Sequence, residues 1–182
     1  VPDTGFGLRR LVDPAMPSAA YAEWRHVHGI AGPYVAIQAT VHLAPARAAL
    51  HHLRTILPDA KFVLLPICKV HGDSGSLPHF AGIDAIADDR FVAPELFAEI
   101  IAHSMLAIGS SLHFGITAIA FGVPLLRTGG YDDRKYQVLD AFDGAQALRA
   151  YITRDGIAQL AAGARADPRV VDHARQVDRH WD

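Results

Sequence analysis

The sequence predicts an α/β domain, an open parallel sheet with helices on both faces. Three observations carry that prediction. Short runs of β-forming apolar residues alternate with helical apolar spacing between Tyr34 and Leu126. Proline opens two of the helical stretches, at Pro45 and Pro94, and Gly122 followed by Pro124 closes a third. Ser104–Tyr136 reads as one complete βαβ unit: a strand Met105–Ile108, a Gly109-Ser110-Ser111 turn, a helix Leu112–Phe121 and a strand Val123–Leu126.

Taken in order, residues 1–33 hold four prolines and four glycines and read as a lead-in, with a short helix expected near Ser18–His28. The domain proper is expected over 34–147. Tyr34–Ala39 (YVAIQA) is a buried parallel strand by composition. A helix from Pro45 to Leu57 places Ala49, Leu50, Leu53, Ile56 and Leu57 on one face. Lys61–Pro66 is the second strand, followed by a long polar loop (CKVHGDSGSLPHF), and a short strand is expected at Phe91–Val92. Pro94 opens a helix with Leu96, Phe97, Ile100 and Ile101 inward. After the βαβ unit the spacing is helical, so residues 148–182 are expected to be C-terminal helices.

The totals set bounds. Hydrophobic residues at 51% and charged residues at 20% suit a real core and argue against disorder. A net charge of −2 gives no electrostatic call for nucleic acid or an anionic surface. A lone Cys68 excludes an intrachain disulfide and suits a reducing compartment. The chain is therefore expected to be cytoplasmic, with peripheral attachment to the inner face of a membrane left open. Val1 and the ordered-looking VPDTGFGLRRLVDP suggest the C-terminal half of a longer protein, whose N-terminal domain is a partner.

Open parallel sheets bind ligands outside the carboxyl ends of their strands. That rule selects Gln38, Thr40 and His42 after the first strand, and His71, Asp73 and Ser74 after the second. It also selects Ser110, Ser111 and His113 after the fourth, and Arg127, Thr128, Tyr131 and Lys135 after the fifth. His113 stands out because it falls in the first turn of a helix, where N–H groups and the macrodipole favour an anion. Asp73 is placed to orient His71. His79, His103, His173 and His180 read as solvated. No short-spaced pair such as HxxxH anchors a metal, no GxGxxG or GxxxxGK[ST] is present, and no metal or cofactor is expected.

With MLAIGSSLHFGITAIAFGVPLL and the following Tyr131, Asp132, Asp133 and Arg134-Lys135 in view, Ile101–Tyr136 resembles the signature region of the polysaccharide pyruvyl transferase family. KFVLLPICKVHGD and VPDTGFGL resemble further segments of that family. The resemblance implies the second, Rossmann-like half of a GT-B fold. It also implies transfer of a pyruvyl group from phosphoenolpyruvate onto a sugar acceptor of a cell-surface or exopolysaccharide. His113 would be the acid or phosphate ligand, and the N–H groups of Ser111, Leu112 and His113 would help to hold the anion.

The chain departs from the family pattern at two points. Ser111 replaces the arginine of R-L-H, and Gln38-Ala39-Thr40 stands where relatives often carry another arginine. Arg127, Lys135 or Lys69 would then supply charge. Two alternatives stay open: a GT-B glycosyltransferase whose donor is a nucleotide sugar, with Glu95 or Asp73 as its carboxylate, and a decayed binding domain. Exposed Val170, Val171 and Val177 would favour a homodimer.

Overall fold

The computed structural model describes residues 7–8, 10–68, 72–128, 136–137, 149–153 and 156–157. Six strands pair in parallel: β1 (Tyr34–Gln38), β2 (Lys61–Leu65), β3 (Ile86–Ala87), β4 (Leu106–Gly109), β5 (Leu125–Arg127) and β6 (Arg149–Tyr151). Their order is β3-β2-β1-β4-β5-β6. The register sets Gln38 opposite Leu65 and Ile37 opposite Ile108, so the ends of β1, β2 and β4 share one edge. This is the open parallel, Rossmann-like sheet that the sequence predicts.

The central strands are apolar except at their ends, where Lys61 opens β2, Gln38 closes β1 and Arg127 closes β5, because both sheet faces are covered. All five β1 residues are buried. Tyr34, Ala36, Val63, Leu65, Ala107 and Leu125 point to one face, under helices α1 (Ala19–Val27), α3 (Pro94–Ala102) and α4 (Leu112–Ala120). Val35, Ile37, Phe62, Leu64, Ile108 and Leu126 point to the other, against Leu43, Phe80, Ile83 and helix α2 (Arg47–Ile56). Alternation within each strand thus feeds two separate cores.

Several boundaries differ from the sequence-based expectation. Pro45 lies inside a 3-10 helix, Val41–Ala46, and the α-helix begins only at Arg47. Leu50 and Leu53 are buried as expected, but Ile56 is exposed. The polar loop after β2 contains a second 3-10 helix, Asp73–Phe80. The third strand is Ile86–Ala87 rather than Phe91–Val92, because Ile86 and Ala87 pair with Val63 and Leu64 while Val92 packs on the core from outside the sheet. The expected helical reading from Leu148 is replaced at Arg149–Tyr151 by β6, which continues the sheet beyond β5. Residues 158–182 lie outside the described residues, as does the helical stretch expected from Leu139.

The helix expected near Ser18–His28 is present as α1, and its attachment is specific. The Ser18 hydroxyl accepts from the Tyr21 N–H at 3.1 Å, an N-cap. That hydroxyl and the Ser18 N–H both donate to the buried Glu99 carboxylate, each at 2.5 Å. Ser18→Ala removes the cap and one donor to a buried charge, so it is expected to cost about 1–2 kcal/mol. Urea unfolding with an unchanged midpoint would rule out this account of the cap.

Candidate functional site

The strand order reverses direction between β1 and β4, which makes the crevice at their carboxyl ends the switch point of the sheet. The sequence places there Gln38 at the end of β1 and Gly109-Ser110-Ser111 at the end of β4. A single side chain bridges them. Gln38 Oε1 accepts from the Ser110 N–H at 3.0 Å and from the Ser111 N–H at 2.9 Å. Gly109 is required beneath this bridge. A Cβ there would stand 2.6 Å from Cδ1 of Phe114 and 3.1 Å from Gln38 Oε1.

The other wall comes from β5 and Tyr136. The Tyr136 hydroxyl donates to the Ser110 carbonyl at 2.6 Å. Arg127 is 7% exposed, and its guanidinium carbon lies 4.5 Å from the Tyr136 ring centroid, within cation–π range. Gln38, Ser110, Ser111, Tyr136 and Arg127 therefore form one connected set around the start of α4. Ser111 occupies the N-cap position, but its side chain makes no capping bond. The amide of Gln38 satisfies that turn instead, so the Ser111 N–H expected to meet an anion is already bonded.

The other sequence-selected residues distribute as follows. His113 is exposed in the first turn of α4, and its carbonyl accepts from the Thr117 hydroxyl at 2.8 Å. Leu112 is half-buried against the core under α4. Thr40 is buried and caps the 3-10 helix after β1, with Oγ1 3.5 Å from the N–H of the exposed His42. Asp73 is buried, and its Oδ2 accepts from the Ile67 and Cys68 N–H groups at 3.0 and 2.9 Å. That carboxylate oxygen is committed to closing its own loop. His71, Tyr131 and Lys135 lie outside the described residues. Among the described residues no three His, Cys, Asp or Glu side chains converge as a metal site.

A second polar centre was not legible in the sequence. The Asp88 side chain, following β3, is fully buried. Its Oδ2 accepts from Trp24 Nε1 at 2.9 Å and contacts His28 Nε2 at 3.0 Å, while Oδ1 accepts from the Arg90 N–H and Nε, both at 3.1 Å. Burial alone would push the Asp88 carboxyl up. The bonds from Arg90 and Trp24, together with the Arg90 charge, outweigh burial and hold the carboxyl below the ordinary aspartate range. His103 corrects another expectation. It is not a solvated loop residue but stacks on Tyr21 at 4.5 Å with its Nε2 buried, and that burial lowers its pKa.

Comparison with known proteins supports the fold and stops there. No family model matches the chain, and no curated protein matches it. Among solved structures, the chain is similar to the UDP-GlcNAc 2-epimerase of Methanocaldococcus jannaschii in complex with UDP-GlcNAc and UDP. The TM-score is 0.65 at 11% identity, covering all of this chain and 54% of that one. It is also similar to the E. coli trehalose-6-phosphate protein bound with UDP-2-fluoro glucose, at a TM-score of 0.62 and 10% identity, covering 100% and 48%. The C-terminal CMP-Kdo binding domain of WaaA from Acinetobacter baumannii matches at 0.58 and 16% identity, covering 86% and 95%. This chain spans about half the length of the epimerase and trehalose-phosphate proteins that it matches.

Proposed function

We propose that this chain is the nucleotide-sugar-binding unit of a GT-B-type sugar-processing enzyme, with the nucleotide's phosphate seated at the start of α4. The observation that carries the reading is the switch-point crevice itself. Gln38 closes β1 onto the β4–α4 turn, the helix N-terminus opens on the strands' carboxyl edge, and Arg127 supplies a fixed cation nearby. A helix N-terminus favours a phosphate through its N–H groups and dipole. Two of the similar structures described above are named for complexes with a uridine nucleotide or nucleotide sugar. The third is a single domain of nearly this size, described as binding CMP-Kdo.

Within this reading His113 contacts the phosphate from the first turn of α4, from its exposed position. It can donate a hydrogen bond there without further burial. Thr40 and His42 lie along the loop after β1, on the same edge. The reaction itself needs a second wall of residues to hold an acceptor and exclude water. That contribution falls to another domain of the full protein. Pyruvyl transfer, with phosphoenolpyruvate as donor, rests on the sequence resemblance alone, and none of the similar structures described above is named for it.

Calorimetry separates the two. UDP is expected to bind the wild-type chain while phosphoenolpyruvate does not, and His113→Ala is expected to weaken UDP by roughly two- to tenfold, the worth of one hydrogen bond. Binding of phosphoenolpyruvate alone would transfer the site to pyruvyl chemistry. Binding of neither would overturn the proposal.

A further inference from the structure

Gln38 is 5% exposed, so an unmet polar atom on it needs an explanation. Two backbone N–H groups point at its amide, and only a carbonyl oxygen can accept both. The network therefore fixes which end of the amide is oxygen and leaves the amino group with no part in those two bonds. Among the described residues that amino group makes no hydrogen bond. It is also not fully enclosed, since His103 Nε2 is the only buried, unpartnered side-chain nitrogen or oxygen among them. A nearly buried side chain at the carboxyl end of β1 thus keeps an amino group that has no hydrogen-bond partner among the described residues.

We propose that Gln38 is a ligand-contacting specificity residue with two separate jobs. Its oxygen holds the β4–α4 turn, and its amino group donates to a phosphate oxygen of the bound nucleotide. This inference rests on the nucleotide-sugar reading and deepens it. A neutral amide offers donors without adding positive charge, so the site recognises the anion by donor geometry, with the helix N-terminus and Arg127 as the sources of positive potential. The arrangement also explains how the crevice holds a phosphate although two of its backbone N–H groups are already taken. The amide spends one acceptor on those two donors and returns two donors of its own.

Gln38→Glu tests this because it splits the two jobs. Glutamate keeps an oxygen for the Ser110 and Ser111 N–H groups but replaces the amino group with a second, anionic oxygen. The melting temperature is expected to hold or rise, while UDP affinity measured by calorimetry on the full chain falls roughly ten- to hundredfold. The loss is expected to persist at about 0.5 M NaCl, where distant charge is screened. Gln38→Met, which removes both functions, is expected to lower the melting temperature and the affinity together.

Retention of wild-type UDP affinity by Gln38→Glu would overturn the ligand contact and leave only the structural role. A loss that vanishes in salt would overturn it too, by reducing the effect to long-range repulsion. Failure of the wild-type chain to bind UDP is a different result, since it would remove the nucleotide-sugar reading and this inference with it.

Discussion

Asp88→Ala is expected to lower the unfolding midpoint by roughly 6–12 °C, corresponding to about 3 kcal/mol. The size follows from what the carboxylate holds. Trp24 Nε1 and the Arg90 backbone N–H both end on it, and alanine leaves the Trp24 donor buried without a partner. Arg90 is itself exposed and recovers water, which keeps the loss below that of a fully buried ion pair. His28 closes α1 on the same oxygen, so the effect should concentrate on the docking of α1. Trp24 fluorescence, read in a Trp181→Phe background, would report it directly.

The same carboxylate sets an acid dependence whose sign is fixed. The folded-state pKa of Asp88 is depressed, so its stabilising contribution is complete above the unfolded-chain value of about 3.9. It is lost as the pH falls through the lower folded value. The stability curves of the wild type and Asp88→Asn should therefore lie apart at neutral pH and converge in acid. Parallel curves down to acid unfolding would show that the Asp88 charge contributes nothing. An unchanged midpoint for Asp88→Ala would remove the clamp altogether.

Local signals were strong enough to read the βαβ unit and the two central strands, and the reasons are physical. Tyr34–Gln38 and Lys61–Leu65 are apolar runs with turns on both sides, and a strand buried on both faces has no other composition to show. Gly122, at a φ of +68°, ends α4 as its place before Pro124 suggested. The edge strands were harder. β3 is two residues long, and β6 lies in a stretch, Leu148–Ala162, whose spacing fits a helix equally well. Both are held by pairing with a neighbour, which is a tertiary effect that periodicity cannot carry.

The candidate site divides in the same way. Topology alone sends the β1 and β4 ends to one crevice, so Thr40, Ser110, Ser111 and His113 could be chosen from the sequence. The role of Gln38 could not. In the sequence it was one strand-end group among several, in a segment where the family pattern often has an arginine, whereas in the structure its neutral amide spans 72 residues of chain to satisfy Ser110. Asp73 shows the converse. Its proximity to His71 suggested tuning of an imidazole, yet its carboxylate turns inward to two backbone N–H groups only five and six residues away. Trp24 and Asp88 meet across 64 residues, and His28 and Asp88 across 60, with no local pattern to announce them.

Gly109→Ala carries the second large effect, because it strikes the fold and the crevice together. The added Cβ would stand 2.6 and 2.9 Å from two carbons of the Phe114 ring, and Phe114 is wholly buried with Phe97 tilted against it at 6.1 Å. The ring has no open side to swing into, so the strain is expected to cost about 1–3 kcal/mol. The same Cβ presses on Gln38 Oε1 at 3.1 Å, which should displace the amide from the Ser110 and Ser111 N–H groups and weaken UDP binding as well. Phe114→Leu removes the ring edge that the methyl group meets. If contact with that ring causes the loss, the double variant will be more stable than the two single losses predict, by roughly 1–2 kcal/mol of coupling. Denaturant titration of the four proteins measures that term. Additive losses would mean that the methyl group is destabilising for some reason other than Phe114. A recovered midpoint without recovered UDP affinity would separate the packing of α4 from the placement of Gln38, and would locate the binding defect in the amide.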